Sequence, residues 1–191
     1  MSRPKLKNVT ASVRQRLLNQ ARATDRPFNE LLQYFAMERF LYRLGRSPHS
    51  DRFVLKGALM LTSWNLAATR PTRDIDLLCH GSNDIDAIVT VVRDVCGQSV
   101  EPDGLDFDPR TVRGDRIAQL AEYEGVRACF RGTLGTARIS MQIDVGFGDV
   151  VVPAPQFIDY PTILDLPAPR LRGYTRESMV AEKVSAMVAK G

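Results

Sequence analysis

The stretch RPTRDIDLLCH, residues 70–80, places two aspartates at the start of an apolar run. The run from Asp74 onward predicts a buried β-strand, because it is short, apolar and bounded by turn residues. Side chains alternate between the two faces of a strand, so Asp74 and Asp76 share one face, with Cα atoms about 6.5–7 Å apart. We therefore expect two neighbouring carboxylates at the edge of a hydrophobic core.

The composition is that of one globular domain. The chain has 191 residues, of which 44% are hydrophobic, and this is enough for a substantial core. No apolar run reaches the roughly 18 residues that span a bilayer, and no apolar export signal follows the basic start. The three cysteines are scattered, which argues against a disulfide framework or a zinc site. We expect a cytoplasmic protein without a membrane contact.

The charge is mildly basic and unevenly spread. The formal net charge of +4 is compatible with a polyanionic partner but does not require one. Basic residues are concentrated between Arg3 and Arg26, where Asp25 is the only acid. This end can contact a phosphate backbone, although an ordinary solvated helix face explains the same pattern.

The first half of the chain indicates helices followed by a strand and a turn. Apolar residues at helical spacing predict two N-terminal helices, the first capped by Thr10 or Ser12 and the second ended by Gly45. A short strand over FVLK, a glycine turn and a helix over ALMLTSWNLA follow. Asn83 is expected to cap the helix after the strand that carries the aspartates.

The second half predicts an antiparallel meander. Residues 104–147 partly alternate apolar and polar positions, with turns at EYEG and GTLG, and this pattern excludes an all-parallel sheet. The proline-rich residues 151–169 are expected to be irregular, RLRGY to be a short strand, and the final helix to be capped by Thr175. The fold class is therefore α/β (α+β), a mixed β-sheet with flanking helices. Residues 1–48 would be an N-terminal helical extension and 49–191 the sheet domain.

The aspartate pair has the arrangement of a metal site. Neighbouring carboxylates suit Mg²⁺, which prefers oxygen ligands and commonly keeps water and phosphate oxygens around it. Asp144, in MQIDVGFGD, stands near the end of another predicted strand and adds a third carboxylate if the two strands are neighbours. A lone aspartate at a strand end is more often a turn former. The similar DIDA at residues 84–87 is interpreted as an ordinary helix start.

A glycine and several basic residues near the pair suggest a phosphate site. Lys56 and Gly57 stand at a turn before a helix, where backbone N–H groups can approach a phosphate; an ordinary glycine turn is equally consistent. Arg70 and Arg73 flank the acids. They can contact phosphates or a nucleic-acid backbone, or they can simply offset the acids.

The final helix supplies one further candidate. Its apolar stripe is predicted to be buried and to place Lys183 at its edge, with Glu182 directed away. The ammonium group of Lys183 can then reach an adjacent cleft, or extend into water as lysines commonly do. The stripe consists of Val180, Val184, Met187 and Val188.

Signatures of other enzyme classes are missing from the sequence. There is no G-x-x-x-x-G-K-[ST] and no G-x-S-x-G, and Gly146-Phe147-Gly148 lacks the third glycine of a dinucleotide fingerprint. His49 and His80 are too isolated for a zinc site. Metal-assisted phosphoryl or nucleotidyl transfer is the chemistry that remains.

Taken together, FVLKGALML, RPTRDIDLL, MQIDVGFGD and MVAEKVSAM resemble the AbiEii-like nucleotidyltransferase toxins of abortive-infection and toxin–antitoxin systems, which include the MenT toxins. The resemblance runs in order from about Phe53 to the end of the chain. It implies the nucleotidyltransferase fold of the DNA polymerase β-like superfamily, which is a small mixed sheet with flanking helices.

The resemblance also implies an activity and its residues. MenT-like enzymes transfer a nucleotide from an NTP to the 3′ end of tRNA with Mg²⁺, and a cognate antitoxin protein opposes them. The implied metal-binding and catalytic residues are Asp74, Asp76 and Asp144. The implied contacts with the NTP are Lys56, Gly57, Arg73 and Lys183.

The sequence departs from the family pattern in two places. Many members have K-G-G-T where this chain has Lys56-Gly57-Ala58-Leu59, so a hydroxyl that could help to hold phosphate is missing. Family chains usually continue past the A-E-K helix into a helical domain, whereas this sequence stops at Gly191. We expect it either to be a piece of a longer protein or to complete its site differently.

Two alternatives are left open by the sequence. The first is a non-catalytic module of the same fold that binds nucleic acid or an antitoxin, in keeping with the basic N-terminus. The second is the same nucleotidyl transfer directed to a protein hydroxyl or a small molecule.

Overall fold

The computed structural model describes residues 8–64, 66, 71–119 and 123–190, and within them helices combine with one β-sheet. The helices are α1 (Val9–Thr24), α2 (Phe28–Arg46), α3 (Leu59–Ser63), α4 (Ile85–Cys96) and α5 (Arg176–Lys190), with a 3-10 turn at Ser50–Arg52. The strands are β1 (Phe53–Lys56), β2 (Asp74–Cys79), β3 (Leu105–Gln119), β4 (Tyr123–Leu134), β5 (Ala137–Phe147), β6 (Gln156–Asp159) and β7 (Arg170–Gly173). Arg3 and Arg70, for which phosphate contacts are predicted, lie outside the described residues.

The sheet is mixed. In the described part of the chain it has seven strands in the order β3-β4-β5-β2-β1-β7-β6. Strands β3, β4 and β5 form the predicted antiparallel meander. Strand β2 is parallel to β5 and antiparallel to β1, and β1 is parallel to β7. The mixed α/β fold predicted from the sequence is thus confirmed. The short strand β6 was not expected, because it lies among the prolines predicted to be irregular.

The two faces of the sheet differ in character. Apolar residues of α1, α2 and α4 join those of the strands in one large core, into which Ile75 and Leu77 of β2 point. The opposite face, called the outer face below, carries Asp74 and Asp76. A smaller apolar cluster on the outer face consists of Val54, Leu78 and Tyr174. Helices α1 and α2 pack in the same core as the sheet. The division of the chain at residue 48 stays a prediction.

Helix α2 buries charged residues as well as its apolar stripe. Arg43 donates hydrogen bonds to both carboxylate oxygens of Asp103, at 2.7 and 3.1 Å. Glu38 and Arg39 are each 1% exposed and form an ion pair of 2.9 Å. Glu38 also accepts a hydrogen bond of 2.7 Å from the backbone N–H of Ile163. Each of these buried charges therefore has a partner of opposite sign, as burial in a core requires.

Two helix caps differ from the predicted residues. Asn8 caps α1, because its side-chain oxygen accepts a hydrogen bond of 2.9 Å from the backbone N–H of the third residue along, so the Thr10 and Ser12 predictions were wrong. Asp84 caps α4 in the same way at 2.8 Å, in place of Asn83. Helix α1 begins earlier and helix α4 begins later than its apolar pattern indicates, so a different residue occupies the cap position in each. DIDA is thus a helix start, as predicted.

Helix α5 turns a different side toward the sheet from the one predicted. Thr175 caps it as expected, and its buried residues Ser178 and Met179 are 5% and 8% exposed. The stripe predicted to be buried is instead exposed: Val180 is 62%, Val184 53%, Met187 73% and Val188 76% exposed. Helical periodicity defines an apolar side, but the position of the preceding strand β7 decides which side meets the sheet. None of the described helices is both long enough and apolar enough to span a membrane.

Gly45 allows α2 to approach β7 closely. The sequence predicts that this glycine ends the helix, but α2 continues to Arg46. A Cβ atom at residue 45 would lie 2.4 Å from the carbonyl oxygen of Arg170, which is far inside van der Waals contact. The glycine is therefore required by helix–strand packing and not by a helix stop.

We expect Gly45→Ala to destabilise the protein, although alanine normally favours a helix by about 1 kcal/mol over glycine. The clash with the Arg170 backbone should lower the free energy of unfolding by roughly 1–3 kcal/mol, as overpacking does. Gly97→Ala is the matched control, since its Cβ would lie 3.6 Å from the nearest carbonyl oxygen and its φ of −82° suits alanine. Urea unfolding of both variants measures the difference, and equal stabilities would contradict the packing role of Gly45.

Candidate metal and nucleotide site

Strand pairing brings charged side chains into one row across the sheet. Lys56 of β1 lies opposite Asp76 of β2, and Asp76 lies opposite Asp144 of β5. Asp144 in turn lies opposite Arg127 of β4. Directly paired residues project from the same face of a sheet. Asp74, two residues before Asp76, adds a carboxylate beside this row on the outer face.

The three predicted acids converge. Each of Asp74, Asp76 and Asp144 offers a carboxylate oxygen, and these oxygens all lie within 4.8 Å of one another. Asp144 is 7% exposed, and the two residues of β2 are half-buried. Hard oxygen ligands at this spacing suit Mg²⁺, which the chemistry of the donor set therefore fits.

Thr72 and Tyr34 fix the segment that precedes Asp74. The Thr72 hydroxyl donates a short hydrogen bond to the Asp74 carboxylate. The backbone N–H of Thr72 donates to the phenolic oxygen of Tyr34 on α2, at 3.1 Å. This chain of contacts fixes the segment before β2 against α2 and orients the first carboxylate of the pair.

Asp76 has a raised pKa of about 6. Burial is the largest cause, the Asp74 and Asp144 carboxylates add to it, and Lys56 opposes the rise. Like charges gathered in a poorly solvated place favour the protonated form. A cation between the carboxylates would remove this repulsion.

Arg127 forms an ion pair with Asp144 that the sequence analysis missed. Its Nε donates to one carboxylate oxygen at 2.8 Å and its Nη2 to the other at 2.7 Å. The Gln142 amide, with its oxygen toward Arg127, accepts from the same two nitrogens at 3.2 and 3.3 Å. The hydrogen bonds with Asp144 raise the pKa of Arg127, so the guanidinium stays charged. Two-point contacts of this kind are among the strongest between side chains.

Lys56 is held by two further carboxylates. Its ammonium group donates to Glu182 of α5 at 2.5 Å and to Asp149, which follows β5, at 3.0 Å. Burial alone would lower the pKa of Lys56, but the hydrogen bond with Glu182 and the charge of Asp149 more than offset it, and the pKa lies above its usual value. The prediction that Glu182 is directed away from the sheet was wrong, because α5 presents a different side.

Gly57 is the residue that makes room for Asp76. It adopts a φ of +67°, and a Cβ there would lie 2.0 Å from the Asp76 carboxylate oxygen. Any other residue would both strain the backbone and collide with the acid. The turn between β1 and α3 thus lies directly against the carboxylates, on their β1 side.

The remaining predicted residues lie at different places. Arg73 is exposed and lines a groove beside Gln142, on the β5 side of the acids. Lys183 is exposed on α5 and has no hydrogen bond or ion pair with another described residue. Its predicted contact with a triphosphate stays a prediction, and so do the metal and nucleotide roles of the other site residues.

The mixed sheet is consistent with a nucleotidyltransferase-like fold, and it carries a cluster of three carboxylates. A sequence profile described as "Nucleotidyl transferase AbiEii toxin, Type IV TA system" matches residues 39–191. The chain therefore belongs to the AbiEii nucleotidyltransferase toxin family.

A solved structure from Helicobacter pylori shares the fold. A protein assigned as a nucleotidyltransferase is similar with a TM-score of 0.50 and 15% identity, covering 81% of this chain and 57% of the other. JHP933 is similar with a TM-score of 0.49 and 14% identity, covering 81% and 56%. The chain thus spans little more than half the length of these structures. No curated protein sequence matches it significantly.

We expect Asp76→Asn to stabilise the protein in EDTA at neutral pH. The Asp76 pKa is 3.8 when unperturbed and about 6 in the folded state, so the folded state binds this proton more tightly. Ionisation therefore lowers the free energy of unfolding as pH rises from about 4 to 6, by at most about 3 kcal/mol, since one pKa unit corresponds to about 1.4 kcal/mol. The asparagine variant avoids that loss.

Thermal melts of the two proteins between pH 4.5 and 7.5 measure the effect. The stability difference should grow with pH up to about 6 and then level off. Asp86→Asn, which changes an exposed acid in the first turn of α4, is the control and should give no gain. A wild-type protein as stable as Asp76→Asn at pH 7.5 would show that the carboxylates do not repel one another.

Proposed function

We propose that this protein is a Mg²⁺-dependent nucleotidyltransferase toxin of a toxin–antitoxin system. It would transfer a nucleoside monophosphate from an NTP to the 3′ end of tRNA in the cytoplasm, opposed by a cognate antitoxin protein. The observation that carries the proposal is the convergence of Asp74, Asp76 and Asp144 on the outer face, against the Gly57 turn. Membership of the AbiEii family supports the nucleotidyl chemistry and the antitoxin partner.

The acids are the proposed ligands of Mg²⁺. When bound, the metal ion would lower the pKa of an attacking hydroxyl and stabilise negative charge on the leaving phosphates. Asp74 and Asp76 would hold it from β2, with Thr72 keeping Asp74 oriented through its hydroxyl. Asp144 would complete the ligand set from β5, with Arg127 keeping its carboxylate in place.

The nucleotide is proposed to bind on the β1 side of the acids. Gly57 lacks a side chain there, so the phosphates can approach the backbone of the turn. Lys56 would offer positive charge beneath them, and Glu182 and Asp149 keep its ammonium group in position. Arg73 and Lys183, both exposed, are the further proposed contacts with the triphosphate, as the family resemblance implies.

The proposed reaction is an in-line displacement. The oxygen of the acceptor 3′ hydroxyl attacks the α-phosphorus of the NTP, and this new O–P bond forms as the bond to the bridging oxygen of the β-phosphate breaks. Pyrophosphate leaves with that bridging oxygen. Asp144 would receive the proton of the hydroxyl, and the proximity of its carboxylate to the two acids of β2 supports this role.

A non-catalytic module that binds nucleic acid or an antitoxin is the second candidate. The observation that favours it is the ion pair in which Arg127 contacts both oxygens of Asp144. An arginine in that position neutralises the third carboxylate without a metal ion. Transfer to a protein hydroxyl or a small molecule, instead of tRNA, is a further version of the catalytic proposal.

We expect Asp76→Asn to lose nucleotide transfer and toxicity while it stays folded. The carboxylate would supply several kcal/mol of charge stabilisation through the metal ion, so its loss should lower the rate by about 100-fold or more. The full-length protein is incubated with each labelled NTP, Mg²⁺ and total tRNA, and label in the tRNA is measured. Asp86→Asn controls for the loss of one acid and should keep full activity.

The outcomes separate the candidates. Transfer that requires Asp76 and appears in tRNA supports the main proposal, while label in protein or in a small product would redirect the acceptor. If the wild-type protein transfers no label to any of these, yet binds tRNA, the non-catalytic module is favoured. An Asp76→Asn protein that is fully active and toxic would refute the catalytic role of the acids.

A further inference from the structure

An arginine-lined groove adjoins the acids on the outer face of the sheet. It has a volume of about 420 Å³ and begins beside Gln142, the residue paired with Asp74. From there it crosses β5 and β4 toward β3. The polar residues that line it are Arg73, Thr111, Arg113, Arg131, Ser140 and Gln142.

The guanidinium groups of this groove carry accessible positive charge, although Asp108 lies opposite Arg131. Arg73, Arg113 and Arg131 are exposed, and none of them forms an ion pair with another of the described residues. Arg113 donates only to backbone carbonyl oxygens, at 3.0 and 3.1 Å. Of the described residues that line the groove, none is acidic. The positive charge there is therefore available to an anionic ligand.

Some of the other arginines of the sheet have carboxylate partners. Arg127, next to the groove, is engaged by Asp144, and Arg110 holds Asp108 at 2.9 and 3.1 Å. Asp108 lies directly opposite Arg131 on the paired strand, so its charge is near Arg131, and both residues line the next depression of the sheet surface. The arginines of the groove thus form a short track that starts at the acids and ends at Arg131, beside Asp108.

The position of the track suggests its ligand. The Gly57 turn lies on the β1 side of Asp76, whereas the groove lies on the β5 side of Asp74. A nucleotide and an acceptor could therefore reach the carboxylates from opposite sides. Arginine forks with nearby hydroxyl and amide groups are the usual partners of a phosphodiester backbone, which they contact without reading its sequence.

We propose that this groove binds the phosphate backbone of an RNA strand and leads its 3′ end to the acids. The inference rests on the proposed function, because it names the path of the acceptor to that same site. Arg131 and Arg113 contact phosphates away from the reacting end, while Arg73, the proposed contact with the triphosphate, lies where the groove meets the acids. Contacts of this kind make the affinity strongly dependent on salt.

The test measures RNA binding in EDTA, where no transfer takes place. Fluorescence anisotropy gives the affinity of the full-length protein for labelled tRNA and for a short single-stranded RNA over a range of salt concentrations. Arg131→Glu should weaken binding about tenfold at low salt and reduce the salt slope by about one, as expected for a lost phosphate contact. Arg131→Gln should give a smaller effect in the same direction.

Arg93→Glu is the matched control, because it makes the same change of charge at an exposed residue of α4, which packs on the core face of the sheet. It should bind RNA within about twofold of the wild-type protein. Equal losses in the two variants would show a general charge effect and overturn the groove. If polyglutamate displaces RNA from the wild-type protein at equal charge concentration, the groove instead binds an acidic protein. That result would also overturn the proposal.

Failure of the groove and failure of the proposed function give different results. If labelled nucleotide is transferred to tRNA and Arg131→Glu leaves the KM for tRNA unchanged, the groove is refuted and the function stands. If the wild-type protein transfers no nucleotide but Arg131→Glu still weakens RNA binding selectively, the groove stands and the function is refuted.

Discussion

The parallel pairing of β2 with β5 is the constraint on which the site depends. It places Asp76 opposite Asp144, although the two residues are far apart in the sequence, and sets Asp74 beside them. A shift of one residue in this register would turn the acids of one strand into the large core. The core itself opposes such a shift, because Ile75 and Ile143 are fully buried on the other face.

Three carboxylates at short range are an unfavourable arrangement, and the surrounding charges show how the fold tolerates it. Lys56 and Arg127 stand at the two ends of the row, so each side of the acids meets a cation. Both cations have additional partners that fix them, which are Glu182 for Lys56 and Gln142 for Arg127. The site is therefore a row of acids with a cation at each end, built on four adjacent strands, and not an isolated acidic patch.

Alternation along a strand was sufficient to predict the acids, because it depends only on local geometry. Arg127 was also within reach: the chain reverses between Leu134 and Ala137, and counting back equally along both strands pairs Arg127 with Asp144. The contact of Glu182 with Lys56 was not, because helical periodicity does not determine which side of α5 meets the sheet. Gly45 shows the same limit, since only the packed structure reveals the nearby carbonyl of Arg170.

The same parallel pairing affects the timing of synthesis. Parallel neighbours need a long connection, and here the two antiparallel strands β3 and β4 and helix α4 lie between β2 and β5. A nascent chain that has released β2 from the ribosome thus carries its aspartate pair without the third carboxylate. The carboxylate cluster forms only when β5 has emerged and paired with β2. The three acids therefore cannot act together before most of the sheet has folded.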